Sequence, residues 1–317
     1  MKAILLALLL VMLSLSTAQE PLRVLATIGM IGDVAQNVGG ECVAVETLIG
    51  AGIDPHLYRA SARDVERLEQ AELILYGGLN LEAQLGQVLG RLGQRRPTLA
   101  VMEQVDAEQL LEEDDDDAYD PHLWMDAALW AETIDIIAEQ IVSLRPECAE
   151  AVAENAARYR EALLALDAWA RASLASVPAE RRLLVTAHDA FYYFARAYDF
   201  EASEAVQGIS TEAEASIADI RAVVDFVVTN EVPAIFPETT INPRNIEAVQ
   251  AAARDRGFEV AIGDELFSDA MGDEGTPEGT YIGMIRHNVI AITEALGGTV
   301  APWPEELAAW AVAWGLE

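Results

Sequence analysis

Short runs of β-branched and apolar residues alternate with helical patterns along this whole chain, and that alternation admits few folds. Candidate strands fall at 24–28, 43–48, 73–76 and 98–101 in the first half, and at 183–186, 200–206, 234–236 and 258–262 in the second. Strands separated by helix-length segments are not hairpins, so the pattern predicts an α/β fold with parallel sheets covered by helices. Each half reads as a βα lobe with a mostly parallel four-stranded sheet. A chain of 317 residues also exceeds what one hydrophobic core usually serves, which again argues for two lobes.

One long helical pattern, 146–176, runs between the halves. Val152, Ala156, Tyr159, Leu163, Leu166, Ala170, Leu174 and Val177 step by three or four and form a single apolar stripe. Pro146 suits a first helical turn and Pro178 a stop. At ~1.5 Å per residue the segment makes a rod of roughly 46 Å. The expected organisation is a leader over 1–18, a first lobe over 19–145, the linking helix over 146–176 and a second lobe over 177–317. A rod packed on both lobes resists the large hinge closure that a flexible linker allows.

The leader reads as a cleaved secretory signal peptide. Lys2 precedes the apolar run 4–13, and Ser16 and Ala18 put small residues ahead of Gln19. No cysteine stands where lipid attachment needs one, so the expectation is a protein released into a periplasm. Of the two cysteines, Cys42 and Cys148, the sequence says only that an oxidising compartment permits a bridge; their spacing is unlike a thiolate metal site. The net charge of −33 repels nucleic acid and anionic lipid, which excludes both as partners. Six consecutive carboxylates, 112–117, read as a solvated loop or as a weak collector of cations.

Of the four histidines, His56, His122 and His188 sit in contexts that read as strand-to-helix loops. The first two share near-duplicate settings, Asp54-Pro-His-Leu-Tyr and Asp120-Pro-His-Leu-Trp, and the third lies in Thr186-Ala-His-Asp. Three unrelated surface histidines remain one reading. Three imidazoles gathered at one point suit zinc, or with less affinity manganese. A carboxylate would complete four-coordination, and Asp269, where an apolar strand end meets a glycine-rich loop, is the best candidate among many acids. Asp189 and Glu238 are read as outer groups that orient an imidazole N–H. His287 lies in a helical pattern and points away from its apolar face, so it is read as solvent-facing or cap-like. Because the imidazoles must be neutral to bind metal, binding is expected to weaken below about pH 6.

These motifs, with Leu184-Val-Thr-Ala-His-Asp-Ala-Phe191 and the stretch 265–284 in the same order, resemble those of the TroA/ZnuA-type metal-binding receptors of ABC importers (cluster A-I), and 265–284 is particularly similar to the TroA branch. The resemblance runs from about residue 22 to 300. It implies two βα lobes joined by a rigid helix, with the ion in the cleft between them. It also implies His56 and His122 from the first lobe, and His188 and Asp269 from the second, as ligands. The function implied is capture of zinc or manganese and delivery to an ABC-type permease, by a protein that is not an enzyme and is expected to be a monomer. The histidine-rich loop of zinc receptors is missing, with the acidic run in its place, and histidine at the third position leaves the ion open. The competing reading, a secreted zinc-dependent hydrolase, lacks an HExxH helix, and no GxSxG elbow supports a serine hydrolase.

Overall fold

A computed structural model describes residues 20–112 and 118–316. The expected leader and five of the six carboxylates of the acidic run lie outside the described residues.

The first half alternates strand and helix as expected: β1 (Leu22–Ala26), α1 (Gly29–Gly39), β2 (Val43–Thr47), α2 (Ala62–Gln70), β3 (Leu73–Tyr76), α3 (Gly86–Gly93) and β4 (Thr98–Ala100). All strands are parallel, in the order β2-β1-β3-β4, with Val24 opposite both Val45 and Leu73. The order reverses between β1 and β3, and such a switch point opens a crevice at the carboxyl ends of the two strands. Here Glu82 fills that crevice. Its carboxylate accepts the Thr27 hydroxyl after β1 and the amides of Gly77 (2.8 Å) and Gly78 (3.3 Å) after β3. Burial pushes its pKa up against those three bonds. With the crevice plugged, the loops that follow the outer strands, β2 and β4, carry the chemistry.

Helices α4 (Ala127–Trp130) and α5 (Thr133–Leu144) lead to the long helix α6 (Ala149–Leu174), preceded by a 3-10 turn from Pro146 to Cys148. The expected stripe is buried in full. At ~1.5 Å per residue, the 26 residues of α6 span about 39 Å. Cys42, at the entry to β2, is disulfide-bonded to Cys148, and the bridge spans 106 positions.

The second half contains β5 (Leu183–His188), α7 (Tyr192–Ala197), β6 (Ala202–Gln207), α8 (Ile217–Thr229), β7 (Ala234–Ile235), α9 (Arg244–Asp255), β8 (Ala261–Ile262), α10 (Tyr281–Ala295) and α11 (Ala308–Ala313). The expected four-stranded sheet is realised as two parallel pairs, β5-β6 and β7-β8, with the Phe236 amide bonded to the Val185 carbonyl between them (2.8 Å). Prolines explain the interruption. Pro233 and Pro237 flank β7 and supply no ladder N–H, which cuts the strand to two residues.

One hydrophobic core runs from the first sheet through α6 into α7 and α10, and a smaller one lies between β5, β7, α8 and α9. α6 packs on α1, α4 and α5 on one side and on α10 on the other. The two halves therefore share a continuous core along the long helix. No helix among the described residues is long and apolar enough to cross a membrane.

Candidate metal centre

The duplicated Asp-Pro-His motif folds the same way twice. In each copy the aspartate side chain accepts the amide of the histidine two residues on, from His56 to Asp54 Oδ1 (2.8 Å) and from His122 to Asp120 Oδ1 (2.9 Å). This is an Asx turn, with proline fixing φ between acceptor and donor. One copy follows β2 and the other follows β4, the two outer strands of the sheet. His188 ends β5, and Asp269 follows a short parallel bridge between Glu238 and Leu266.

The four side chains meet. One ligand atom from each of His56, His122, His188 and Asp269 lies within 4.8 Å of every other. The Nε2 atoms of His56 and His122 are 3.4 Å apart, and Asp269 oxygens stand 3.2 Å from Nε2 of His122, 3.2 Å from Nε2 of His188 and 3.8 Å from Nε2 of His56. A tetrahedron with bonds of about 2.0 Å has edges of about 3.3 Å. All four residues are at most 2% exposed. Nε2 of His188 and both Asp269 oxygens are buried without a hydrogen-bond partner. Orphaned buried donors converging on one point are what a cation site requires.

The surroundings fix some imidazoles more firmly than others. Asp120 Oδ1 accepts Nδ1–H of His122 at 2.7 Å in addition to its amide. Glu238 does the same for His188, with Oε1 on the amide (2.8 Å) and Oε2 on Nδ1–H. Both arrangements leave Nε2 as the lone-pair donor. Burial opposes charge on both rings, yet the neighbouring carboxylates outweigh it, holding His122 up at about 9 and His188 well above its usual value. Burial works against the Asp269 anion as well, but His188 and His122 hold its pKa well below the usual carboxylate range. For His56 burial dominates and pushes the ring down to about 3. The neighbouring carboxylates thus favour a proton on His122 in the metal-free site at a higher pH than the sequence expectation of about 6.

The ZnuA family model (Zinc-uptake complex component A periplasmic) matches residues 24–295. The zinc-binding protein TroA of Treponema pallidum is 45% identical over 273 residues, covering 86% of this chain and 88% of that protein. The manganese-binding lipoprotein MntA of Bacillus subtilis is 41% identical over 280 residues, covering 88% and 91%. The solved structure of the periplasmic zinc-binding protein TroA superposes with a TM-score of 0.85, covering 87% of this chain and 99% of that one.

The chain belongs to the ZnuA family.

It is thus a metal-binding receptor of the ABC-importer type, with the parallel α/β fold of its relatives, and those relatives are transport receptors rather than enzymes. One expectation falls. The B. subtilis relative and two streptococcal ones are named lipoproteins, a class held at membranes by acyl chains, so release as a free periplasmic protein is withdrawn.

The structure brings together the four residues expected from the sequence. Glu238, read from the sequence only as a group for some imidazole N–H, lies on the His188 ring. Asp189 does not reach an imidazole: its carboxyl lies with Tyr192, and burial raises its pKa to about 7. It follows the strand end, so its side chain turns away from that of His188. The residue that holds the second imidazole, Asp120, was missed, although its signal was present in the Asp-Pro-His repeat. His287 is half-buried against Phe267, and its Nε2–H donates to the Glu265 carbonyl (3.0 Å), outside the site.

Proposed function

We propose that this ZnuA-family chain captures one divalent transition-metal ion through His56, His122, His188 and Asp269 and hands it to an ABC-type membrane importer. His56 and His122 come from a first lobe (19–145) and His188 and Asp269 from a second (177–317), with 146–176 as the rigid link. The observation that carries this reading is the buried cluster of four donor groups, spaced close to the edges of a tetrahedron, in which His188 Nε2 and both Asp269 oxygens have no hydrogen-bond partner. Four donors leave no open position for a reactive water, and Asp120 and Glu238 each hold an imidazole. That supports a receptor without catalytic activity. The cargo is zinc or manganese, as bound by the two relatives. Three imidazoles and a carboxylate bind zinc more tightly than manganese in the Irving–Williams order. The site is complete within one chain, which supports a monomer.

Equilibrium titration with zinc and manganese, using a chelator of known affinity as competitor, tests the assignment. One ion should bind per chain. His122→Ala should lower affinity by orders of magnitude, and His287→Ala should leave it within a few-fold. Equal losses from the two changes would reject the ligand set.

A further inference from the structure

Two of the four donors are tied to each other through their backbones. Trp124 lies two residues after His122, in the 3-10 turn Leu123–Met125, and Ser268 immediately precedes Asp269. The Trp124 indole N–H donates to the Ser268 carbonyl at 2.8 Å. One hydrogen bond thus joins the segment bearing a first-half ligand to the segment bearing a second-half ligand. The indole also meets the His122 ring edge-on, with centroids 5.3 Å apart. Trp124 and Ser268 are fully buried, so water does not compete for the bond.

Both ends of this tie are themselves held. The Tyr281 hydroxyl, at the start of α10, donates to the Trp124 carbonyl at 2.7 Å. Trp130 meets Trp124 edge-on, centroids 6.3 Å apart, and lies 6.1 Å from the Tyr281 ring. At the other end, Asn288 of α10 accepts the Phe267 amide (2.9 Å) and donates to the Phe267 carbonyl (2.7 Å). The segment leading to Asp269 is therefore fixed from α10 and from Trp124 together. Another tie between the halves, from the Thr211 hydroxyl to Asp54 Oδ2 at 2.5 Å, lies near His56 in sequence but adjoins no second-half ligand.

An Asp269 oxygen stands 3.2 Å from His122 Nε2, close to the edge of a zinc tetrahedron. A spacing held by the protein acts differently on the two cargo ions. Zinc takes four donors at about 2.0 Å and needs nothing more. Manganese favours six-coordinate, oxygen-rich shells, which four clamped and buried donors deny it. Resting on the four-ligand reading above, we propose that Trp124 is a positioning residue that determines specificity: its indole N–H clamps His122 to Asp269 at zinc spacing. The clamp widens the preference for zinc over manganese beyond what the donor atoms alone give.

Competition against chelators of known affinity, with zinc and with manganese, tests the clamp. Trp124→Phe keeps an aromatic ring beside His122 and removes the N–H. Zinc affinity should fall about tenfold, the effect of one lost buried hydrogen bond. Manganese gains room for water as the donors part, so the zinc-to-manganese affinity ratio should narrow at least about threefold. A merely structural role would weaken both ions alike and leave the ratio unchanged. Tyr281→Phe, which frees the Trp124 carbonyl without touching a ligand, should narrow the ratio in the same direction and serves if Trp124→Phe does not fold. Trp169→Phe loses an indole bond to the Ala301 carbonyl (2.9 Å) far from the four donors, and its ratio should match wild type. A ratio within twofold of wild type in folded Trp124→Phe, or equal narrowing in Trp169→Phe, overturns the proposal. That failure, with one-to-one binding that is lost in His122→Ala, refutes only the clamp. Intact binding in His122→Ala refutes the ligand set itself.

Discussion

Replacing Glu238 by glutamine tests how far the site depends on groups that never touch the ion. Glu238 is fully buried, and each of its oxygens accepts one hydrogen from His188, Oε1 from the amide and Oε2 from ring Nδ1. Glutamine has the same shape but only one acceptor oxygen; its nitrogen is a donor. Either the amide or the ring N–H of His188 must then face an NH2 group. If the ring yields, it can bond only by moving its proton to Nε2, the atom needed for the metal. If the backbone yields, a buried N–H loses a charged acceptor, which costs about 1.5–3 kcal/mol. One effect runs the other way. Without the Glu238 charge, His188 gives up its proton more readily, and that favours the ion. Loss of orientation outweighs this gain, because outer-shell partners of metal-bound histidines are typically worth 10–100-fold in affinity. Chelator competition at pH 7.5 should show zinc bound roughly tenfold more weakly or worse, with stoichiometry still one. Affinity within twofold of wild type would refute the claim that Glu238 sets the tautomer.

Affinity for zinc should climb with pH up to about 9. His122 binds a proton below that value in the empty site and must lose it to bind metal, so falling pH weakens binding; calorimetry in buffers of different ionisation enthalpy near pH 7 should detect at least one proton released, and none would refute the assignment. Reducing the Cys42–Cys148 bridge should lower unfolding stability by up to about 5 kcal/mol in urea titration, since it closes a loop of roughly 100 residues. Metal affinity should hardly change, because Cys42 enters β2 at the end of the sheet opposite the site. Leu163→Ala, in the fully buried stripe of α6, should cost about 2–5 kcal/mol by the same assay. X-ray scattering with and without zinc should give superimposable profiles, since α6 shares one core with both halves; a large change in radius of gyration would refute the rigid link.

Much of this architecture was legible because its signals are local. The strands of the first half fall within two residues of their expected bounds, since each is a short apolar run closed by a turn. The stripe on α6 is a period-3.6 pattern and was readable residue by residue. The second sheet was harder: its division into pairs depends on Pro233 and Pro237 interrupting one short strand, which an apolar run alone does not reveal. At the site, the histidines were legible from their rarity and from the Asp-Pro-His repeat, whereas choosing Asp269 among many acids needed the resemblance to known receptors. Asp120 and Asp189 are equally close in sequence to a histidine, yet only the first reaches a ring. An Asx turn folds Asp120 back over His122, while Asp189 continues a strand end and faces away. The ties of Trp124 to Ser268 and of Thr211 to Asp54 were invisible in the sequence, because they join positions more than 140 residues apart.

X-ray absorption spectroscopy of the zinc-loaded protein addresses the central claim most directly. A His₃Asp shell predicts four nitrogen or oxygen neighbours at about 2.0 Å, no sulfur, and the outer-shell scattering of three imidazoles. A sulfur neighbour near 2.3 Å, or a shell of five or six light atoms with at most one imidazole, would contradict it.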